Sequence, residues 1–145
     1  MIKKYVLGFA FDSATEFVVL IEKLRPEWQA GFLNGVGGKI EESDKSYGDA
    51  MVREFEEETG VTTEVKDWHH FATMVFENDI MGGGAEVMCY RMFSDVVFEC
   101  KTVEEEKIYI IPTDMLRSYR IIPNLKVLVP LALNQSIDYS KLITR

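Results

Sequence analysis

The chain has 145 residues, of which 47% are hydrophobic and 28% charged, a balance that argues against a disordered chain, a collagen and a coiled coil. Its net charge of −8 argues against a protein that grips a nucleic-acid backbone or an anionic membrane, because phosphates need Lys and Arg to neutralise them. That charge still permits a small phosphorylated substrate, provided that a bound divalent cation supplies positive charge. The length predicts one domain over residues 1–145.

The cysteines and the amino terminus indicate the cellular setting. Cys89 and Cys100 lack the spacing of a metal or redox site, which predicts two reduced, partly buried thiols. The first apolar run is too short for a signal peptide and ends at Asp12, and no stretch reaches the ~18 apolar residues of a membrane span. We therefore expect a cytoplasmic protein without membrane attachment, either a monomer or a homodimer.

The predicted elements begin with a hairpin, continue through a glycine-rich loop to a helix, and end with further strands and a second helix. The hairpin strands are Tyr5–Phe11 and Phe17–Leu24, the loop is Leu24–Gly38, and the helix is Ser46–Thr59, closed by Gly60. The later strands are Val61–Val65, Phe71–Phe76, Val87–Phe93 and Lys107–Ile111, with a loop or hairpin tip at Met81–Ala85 and a closing helix at Leu125–Asn134. This order predicts an α/β (α+β) sandwich around a mixed sheet.

The first predicted helix carries three carboxylates on one side. At ~100° per residue, Glu54, Glu57 and Glu58 fall within roughly a third of the circumference, whereas Phe55 lies on a different arc. Their mutual repulsion, and the negative dipole at the end of the helix, make this arrangement locally unfavourable. It therefore indicates a functional site, because Mg²⁺ binds a few carboxylates together with phosphate oxygens. The alternative is a solvated acidic face.

Two neighbouring features favour the metal interpretation. Arg53 lies four residues before Glu57, where it is able to hold a carboxylate through two hydrogen bonds or to form an ordinary exposed pair. The segment Gly35–Lys39 contains three glycines, which let a backbone approach a ligand closely, although a tight turn explains them equally well. Its place shortly before an acidic helix makes the ligand interpretation stronger.

The residues of this region resemble the Nudix box. The family pattern is Gly, five residues, Glu, seven residues, Arg-Glu, an aliphatic residue, any residue, Glu-Glu, any residue, Gly and an aliphatic residue. The matching positions are Gly38, Arg53-Glu54-Phe55, Glu57-Glu58 and Gly60-Val61. The first half departs from the pattern, because Asp44 stands in place of Glu and eight residues separate it from Arg53. In the family that Glu supports the loop and the Arg, so the departure affects the expected loop geometry and not the helix.

The resemblance implies a Nudix-type α/β/α sandwich and hydrolysis of a nucleoside diphosphate linked to another group, with Mg²⁺ or Mn²⁺. Carried over by position, the metal ligands would be Glu54, Glu57, Glu58 and the Gly38 carbonyl, and Arg53 would orient a glutamate to complete the catalytic set. Glu54 or Glu57 is a candidate for the base that deprotonates the attacking water. Further candidates, each more simply explained as a surface carboxylate, are Glu77, Glu86 and Glu104–Glu106.

The substrate is less well determined than the reaction. The sequence LNGVGGKI, Leu33–Ile40, resembles the WNGFGGKV of Nudix members that cleave 8-oxo-dGTP. The Asn of those members reads a purine edge, and Asn34 matches it, with a turn-forming role as the alternative. The resemblance adds Gly37, Gly38 and Lys39 to the expected substrate-binding residues.

Other substrate classes have signals that this chain lacks. The segment Thr62–Gly84 has neither the Pro of ADP-sugar-cleaving members nor the Tyr of dinucleoside polyphosphate members. The expected substrate is therefore a purine nucleoside triphosphate such as 8-oxo-dGTP, cleaved to the monophosphate and pyrophosphate. An ADP-ribose or ADP-sugar pyrophosphatase and a nucleotide-sensing module without catalysis are the alternatives.

Overall fold

The computed structural model describes residues 2–77 and 83–144. Within them the strands are β1 (Lys3–Phe11), β2 (Phe17–Glu22), β3 (Leu33–Asn34), β4 (Val36–Lys39), β5 (His69–Phe76), β6 (Ala85–Phe93), β7 (Ile108–Pro112) and β8 (Ser140–Thr144). The α-helices are α1 (Tyr47–Thr59) and α2 (Leu125–Leu133). Part of the predicted hairpin tip at Met81–Ala85 lies outside the described residues. Neither described helix is long and apolar enough to cross a membrane.

Strand β1 lies in the middle of a mixed sheet whose main order is β3-β2-β1-β6-β5-β8. One edge of β1 pairs in parallel with β6. The other edge is shared, because Ala10 and Phe11 pair with β2 while the stretch Tyr5–Gly8 pairs antiparallel with β4. The outer strands β7 and β8 pair with β2 and β5. This division of one edge brings β4 into the centre of the molecule.

Alternate residues of the central strands face opposite sides of the sheet, and one helix covers each side. Phe9 of β1 belongs to the apolar cluster that contains Leu128 of α2. Its neighbour Ala10 belongs to the cluster that contains Phe55 of α1. All four side chains are buried. Since consecutive strand residues point to opposite faces, one strand contributes to both cores. The predicted α/β/α sandwich around a mixed sheet is therefore confirmed.

Local signals fix both ends of α1. The Ser46 Oγ accepts a hydrogen bond from the Asp49 backbone N–H at 3.1 Å and donates one to the Asp49 carboxylate at 2.7 Å. Asp49 thus bonds the Ser46 hydroxyl, whereas the longer Glu of a capping box would reach the backbone. Gly60 ends the helix in the left-handed conformation, with φ of 78°. The predicted end of the helix at Thr59 is confirmed, and its start is one residue later than predicted, because Ser46 is the N-cap and Tyr47 the first helical residue.

Three sequence predictions are wrong. Gly37 and Gly38 lie in strand β4, where the sequence predicted a loop. The predicted strand Val61–Val65 has no partner strand among the described residues and leads into a 3₁₀ turn. The chain does not close with α2, because β8 follows and adds a parallel strand to β5.

A buried arginine joins the end of α2 to the sheet. Arg91 of β6 is 3% exposed and donates hydrogen bonds to the carbonyl oxygens of Ala132, Asn134 and Ile137 at 3.2, 3.3 and 2.9 Å. The last carbonyls of a helix have no partner within the helix, so the guanidinium satisfies them. The two cysteines are free thiols, as predicted.

Candidate active site

A cavity of about 390 Å³ lies where the carboxylate face of α1 meets β4, and we call it the acidic cavity. Its lining residues are Lys23, Arg25, Gly37, Gly38, Glu54, Glu58, Glu104, Glu105 and Glu106. Five carboxylates against two cations leave this lining with a net formal charge of −3. The sequence-predicted residues Glu54, Glu58, Gly37 and Gly38 are thus brought together.

The two glycines of β4 are required by close approach. A Cβ atom on Gly37 would collide with the Val6 carbonyl group of β1, and one on Gly38 would collide with the Glu54 carboxylate. The strand therefore lies against β1 on one side and against a carboxylate of α1 on the other. This contact places the backbone of Gly38 directly beside Glu54.

Glu58 is a half-buried carboxylate with one buried oxygen that lacks a partner. Its Oε2 atom is buried and has no hydrogen-bond partner among residues 2–77 and 83–144. Burial, followed by the charges of Glu104 and Glu106, raises the pKa of Glu58 to about 7. Burial also raises the pKa of Glu54, whose side chain is 12% exposed. The acidic cavity thus holds desolvated carboxylates with insufficient counter-charge.

These oxygens fit a hard divalent cation. Such an ion binds carboxylate and carbonyl oxygens, satisfies an unpaired buried acceptor and offsets the repulsion among the glutamates. In the described part of the chain, however, no three carboxylates converge into a ready-made metal cluster. The third expected ligand, Glu57, instead accepts a hydrogen bond from Arg53 Nη1 at 2.8 Å.

Arg53 connects α1 to the loop after β4. Its Nε and Nη2 donate to Oδ1 and Oδ2 of Asp44, each at 2.9 Å, and Nη2 also donates to the Lys39 carbonyl at 3.3 Å. Asp44 in turn accepts the Glu41 backbone N–H at 2.8 Å. The hydrogen bonds from Arg53 hold the pKa of Asp44 below its usual value. Asp44 therefore supports both the loop and the arginine, the role that the family pattern gives to Glu.

Two expected substrate-binding residues do not line the cavity. The Asn34 Oδ1 accepts the Gly35 backbone N–H at 2.8 Å, and Nδ2 donates to Gln29 at 3.2 Å. These are the contacts that the turn-forming alternative predicts, and base reading by Asn34 stays a prediction. Lys39 has an exposed side chain, and its carbonyl accepts from Arg53.

The sequence missed the two cations of the cavity. Lys23 pairs with Glu106 at 3.2 Å, and the other Glu106 oxygen accepts the Leu24 backbone N–H at 2.6 Å. Arg25 lines the cavity two residues further on. Their only sequence signal is two basic residues after β2, a pattern that is too common to indicate a site. Of the additional carboxylates proposed as bases, Glu104–Glu106 line the cavity, whereas Glu77 and Glu86 do not.

Comparison with known proteins gives a family and several similar folds. The NUDIX domain model matches residues 1–136, and no curated protein matches the sequence. The NUDIX domain of Shewanella oneidensis NrtR, solved with ADP ribose, has 17% identity and a TM-score of 0.74, with 92% of this chain and 87% of that chain covered. A structure from work on MutT of Aliivibrio salmonicida and Vibrio cholerae has 24% identity and a TM-score of 0.70, with coverage of 92% and 98%.

A second NrtR structure was solved with a 27mer DNA. It has 17% identity and a TM-score of 0.74, and the alignment covers 91% of this chain and 61% of that chain. At these identities the likeness to solved structures shows the fold alone.

Proposed function

Because this chain belongs to the Nudix family, we propose that it is a metal-dependent pyrophosphohydrolase acting on a nucleoside diphosphate linked to another group. The observation that carries the proposal is the buried, unpaired Oε2 of Glu58, which shares the acidic cavity with Glu54 and Gly38. An ionised carboxylate in that position costs free energy unless a cation or a proton neutralises it. The site supports Mg²⁺ or Mn²⁺ as that cation.

The chain's own residues would hold the ion and orient its ligands. Glu54, Glu58 and the Gly38 carbonyl would bind it from the cavity wall, with Glu57 as the third carboxylate on the same side of α1. Arg53 contacts both Glu54 and Glu57, at 3.3 and 2.8 Å, so it restricts the positions of two ligands. When bound, the ion would neutralise phosphate charge and lower the pKa of a water molecule. Candidates for the base are Glu54, Glu57 and the cavity-lining Glu104–Glu106.

The proposed substrate is a purine nucleoside triphosphate, with oxidised forms such as 8-oxo-dGTP included. The resemblance of Leu33–Ile40 to the corresponding segment of 8-oxo-dGTP-cleaving members supports this choice. Attack would fall between the α and β phosphates and release pyrophosphate and a monophosphate. The net charge of −8 favours a free nucleotide over a nucleic-acid polymer.

A substrate screen with product analysis tests this function. Purified protein is incubated with dNTPs, 8-oxo-dGTP, ADP-ribose and dinucleoside polyphosphates, each with Mg²⁺, with Mn²⁺ and with a chelator. We expect metal-dependent release of pyrophosphate from a purine triphosphate, which ³¹P NMR would detect. Release of inorganic phosphate alone would mean attack at the γ phosphate and would contradict the proposal.

A second candidate function is a nucleotide-sensing module that binds ADP-ribose without cleaving it. Two observations favour it: Glu57 pairs with Arg53, so the described carboxylates form no ready-made cluster, and the NUDIX domain of NrtR was solved with ADP ribose. Calorimetric binding of ADP-ribose, with no turnover of any nucleotide in the screen, would support sensing. Binding of a double-stranded DNA in a gel-shift assay would contradict the expectation drawn from the net charge.

A further inference from the structure

The guanidinium group of Arg53 uses all of its hydrogens. Such a group carries five N–H donors, one on Nε and two on each terminal nitrogen. Nε and Nη2 donate to Asp44, and Nη2 also donates to the Lys39 carbonyl. Nη1 donates to Glu54 at 3.3 Å and to Glu57 at 2.8 Å. In this arrangement every donor of Arg53 has an acceptor.

Glu41 lies at the same nitrogen but receives none of these hydrogens. Its Oε2 is 3.2 Å from Arg53 Nη1, so the two side chains form an ion pair. In the described part of the chain, the hydrogen bonds of Arg53 all go to other acceptors. Three carboxylates therefore converge on a nitrogen that has two hydrogens. The Glu41 side chain is 58% exposed and that of Arg53 is 23% exposed, so the glutamate has more room to move.

Metal binding and Arg53 compete for the same carboxylates. A divalent ion on Glu54 and Glu57 would use oxygen lone pairs that now accept the Nη1 hydrogens. Its positive charge would also repel the guanidinium. An N–H of a mostly enclosed guanidinium costs free energy when it loses its acceptor. Glu41 offers a replacement acceptor, because it is already in contact with Nη1.

We propose that Glu41 is a positioning residue, which accepts the Nη1 hydrogens of Arg53 when Glu54 and Glu57 bind the metal ion. It thereby strengthens metal binding without touching the metal. This inference rests on the metal site of the proposed function and adds a residue that regulates its affinity. Glu41 stands between Gly38 and Asp44, at a position that the family pattern leaves open.

The first test measures Mn²⁺ binding by electron paramagnetic resonance in wild type, Glu41→Ala, Glu41→Gln and Glu42→Ala. Glu42→Ala is the matched control, because Glu42 is the next residue, is exposed and carries the same charge. We expect Glu41→Ala to raise the Kd for Mn²⁺ about 3- to 10-fold, the size of a lost hydrogen bond. Glu41→Gln should recover part of the loss, since its amide oxygen still accepts an N–H. Glu42→Ala should change the Kd less than about 2-fold, and an equal loss in this control would overturn the inference.

Thermal unfolding separates positioning from a merely structural role. Without added metal the donors of Arg53 are satisfied, so Glu41→Ala should change Tm by less than about 2 °C. In saturating Mn²⁺ the gap to wild type should widen by about 2–5 °C, because the variant binds the ion more weakly. An equal gap with and without Mn²⁺ would show that Glu41 serves only the fold, and would overturn the inference.

A double-mutant cycle separates positioning from direct ligation. Glu41→Ala is repeated in an Arg53→Gln background, where it should change the Kd for Mn²⁺ less than about 2-fold. An equal loss in both backgrounds would make Glu41 a metal ligand and would overturn the inference. Arg53→Lys, which keeps the positive charge but lacks the fork of donors, becomes the background if Arg53→Gln does not fold.

Pyrophosphate release in the same proteins distinguishes this inference from the proposed function. If wild type is active and Glu41→Ala binds Mn²⁺ as tightly as Glu42→Ala, the inference fails and the hydrolase function stands. If wild type binds Mn²⁺ but cleaves no nucleotide, the proposed function fails, and the Mn²⁺ affinities still decide the inference. A wild type that does not bind Mn²⁺ would overturn both.

Discussion

Arg53 holds Asp44 through two parallel hydrogen bonds, each 2.9 Å long, and this contact ties the first helix to the loop that follows β4. The loop has one residue more than the family pattern, and its carboxylate is one carbon shorter. The pairing shows that the two departures occur together without loss of the contact. Arg53 also contacts Glu57, so Asp44 helps to fix the position of this expected metal ligand through Arg53.

Replacing Asp44 by alanine should destabilise the protein. The variant leaves Arg53 without its two-pronged acceptor and the Glu41 N–H without a partner, in a place where the Asp44 side chain is only 5% exposed. We expect a loss of about 2–3 kcal/mol in the free energy of unfolding, measured by urea denaturation at pH 7. Asp114→Ala removes an exposed carboxylate and serves as the control, with a change within about 0.5 kcal/mol.

The pH dependence of this difference has a defined sign. Arg53 holds the pKa of Asp44 below the ordinary value of 3.8, so its contribution is fully present above that value. It is lost as the pH falls through the lowered pKa, because the folded state must then take up a proton. The difference between wild type and Asp44→Ala should therefore be constant from pH 5 to 7 and shrink below pH ~4. A difference that grows in acid would contradict the assignment.

Alanine substitutions at the two glycines of β4 should have different effects. At Gly37 the new methyl group meets the backbone of Val6, which cannot move without disrupting the sheet. At Gly38 it meets the Glu54 carboxylate, which is able to rotate away. We expect Gly37→Ala to lower the free energy of unfolding by about 1–3 kcal/mol or more. Gly38→Ala should keep most of the stability but weaken Mn²⁺ binding, measured by electron paramagnetic resonance. Unchanged Mn²⁺ affinity in Gly38→Ala would argue against a ligand role for the Gly38 carbonyl and Glu54.

Arg91→Leu should destabilise the fold without a direct effect on the acidic cavity. The substitution leaves the carbonyl groups of Ala132, Asn134 and Ile137 without their donor in a buried place. We expect the free energy of unfolding to fall by about 3 kcal/mol. Arg117→Leu, at an exposed position, is the control. Equal stability of the two variants would show that the carbonyl groups at the end of α2 do not need Arg91 as a donor.

The sequence predicts best where short-range signals determine the structure. Helix α1 is found within one residue because Ser46 caps its start and Gly60 permits the left-handed turn at its end. The acidic face is also predicted, because helical spacing alone places Glu54 and Glu58 on one side. Asp44 was identified only as a departure from the family pattern, since its pairing with Arg53 depends on how the loop folds back.

The missed features all depend on contacts between distant segments. Gly37 and Gly38 look like a loop because glycine disfavours strands, yet β4 needs them where the backbone meets Val6 and Glu54. Strand β8 is short and mostly exposed, so its apolar pattern is weak, and only pairing with β5 defines it. Arg25 joins the cavity because the end of β2 lies opposite α1, which no local pattern reveals.

Asn34→Ala distinguishes a base-reading residue from a turn former. A base reader should lose about 5- to 150-fold in kcat/KM on a purine triphosphate and little on a pyrimidine triphosphate, because polar groups of the purine would lose their partner. The turn former instead predicts parallel losses, since the Asn34 side chain holds the Gly35 N–H at the start of the Gly35–Gly38 segment. Gln29→Ala is the control, because it removes only the contact to Asn34 Nδ2. Equal losses on both substrates would rule out base reading.

The central claim is that the half-buried carboxylates of the acidic cavity, Glu54 and Glu58, bind a catalytic divalent ion. It is tested most directly by the Mg²⁺-dependent rate of pyrophosphate release from a purine triphosphate, measured in wild type and Glu58→Gln. Glu58→Gln should lower kcat at least ~100-fold, the scale of a lost charge-stabilising group. The variant should fold as stably as the wild type or slightly more so, because a repelled carboxylate is removed. A near-normal rate in the variant, or a wild-type rate that does not depend on the metal, would contradict the account.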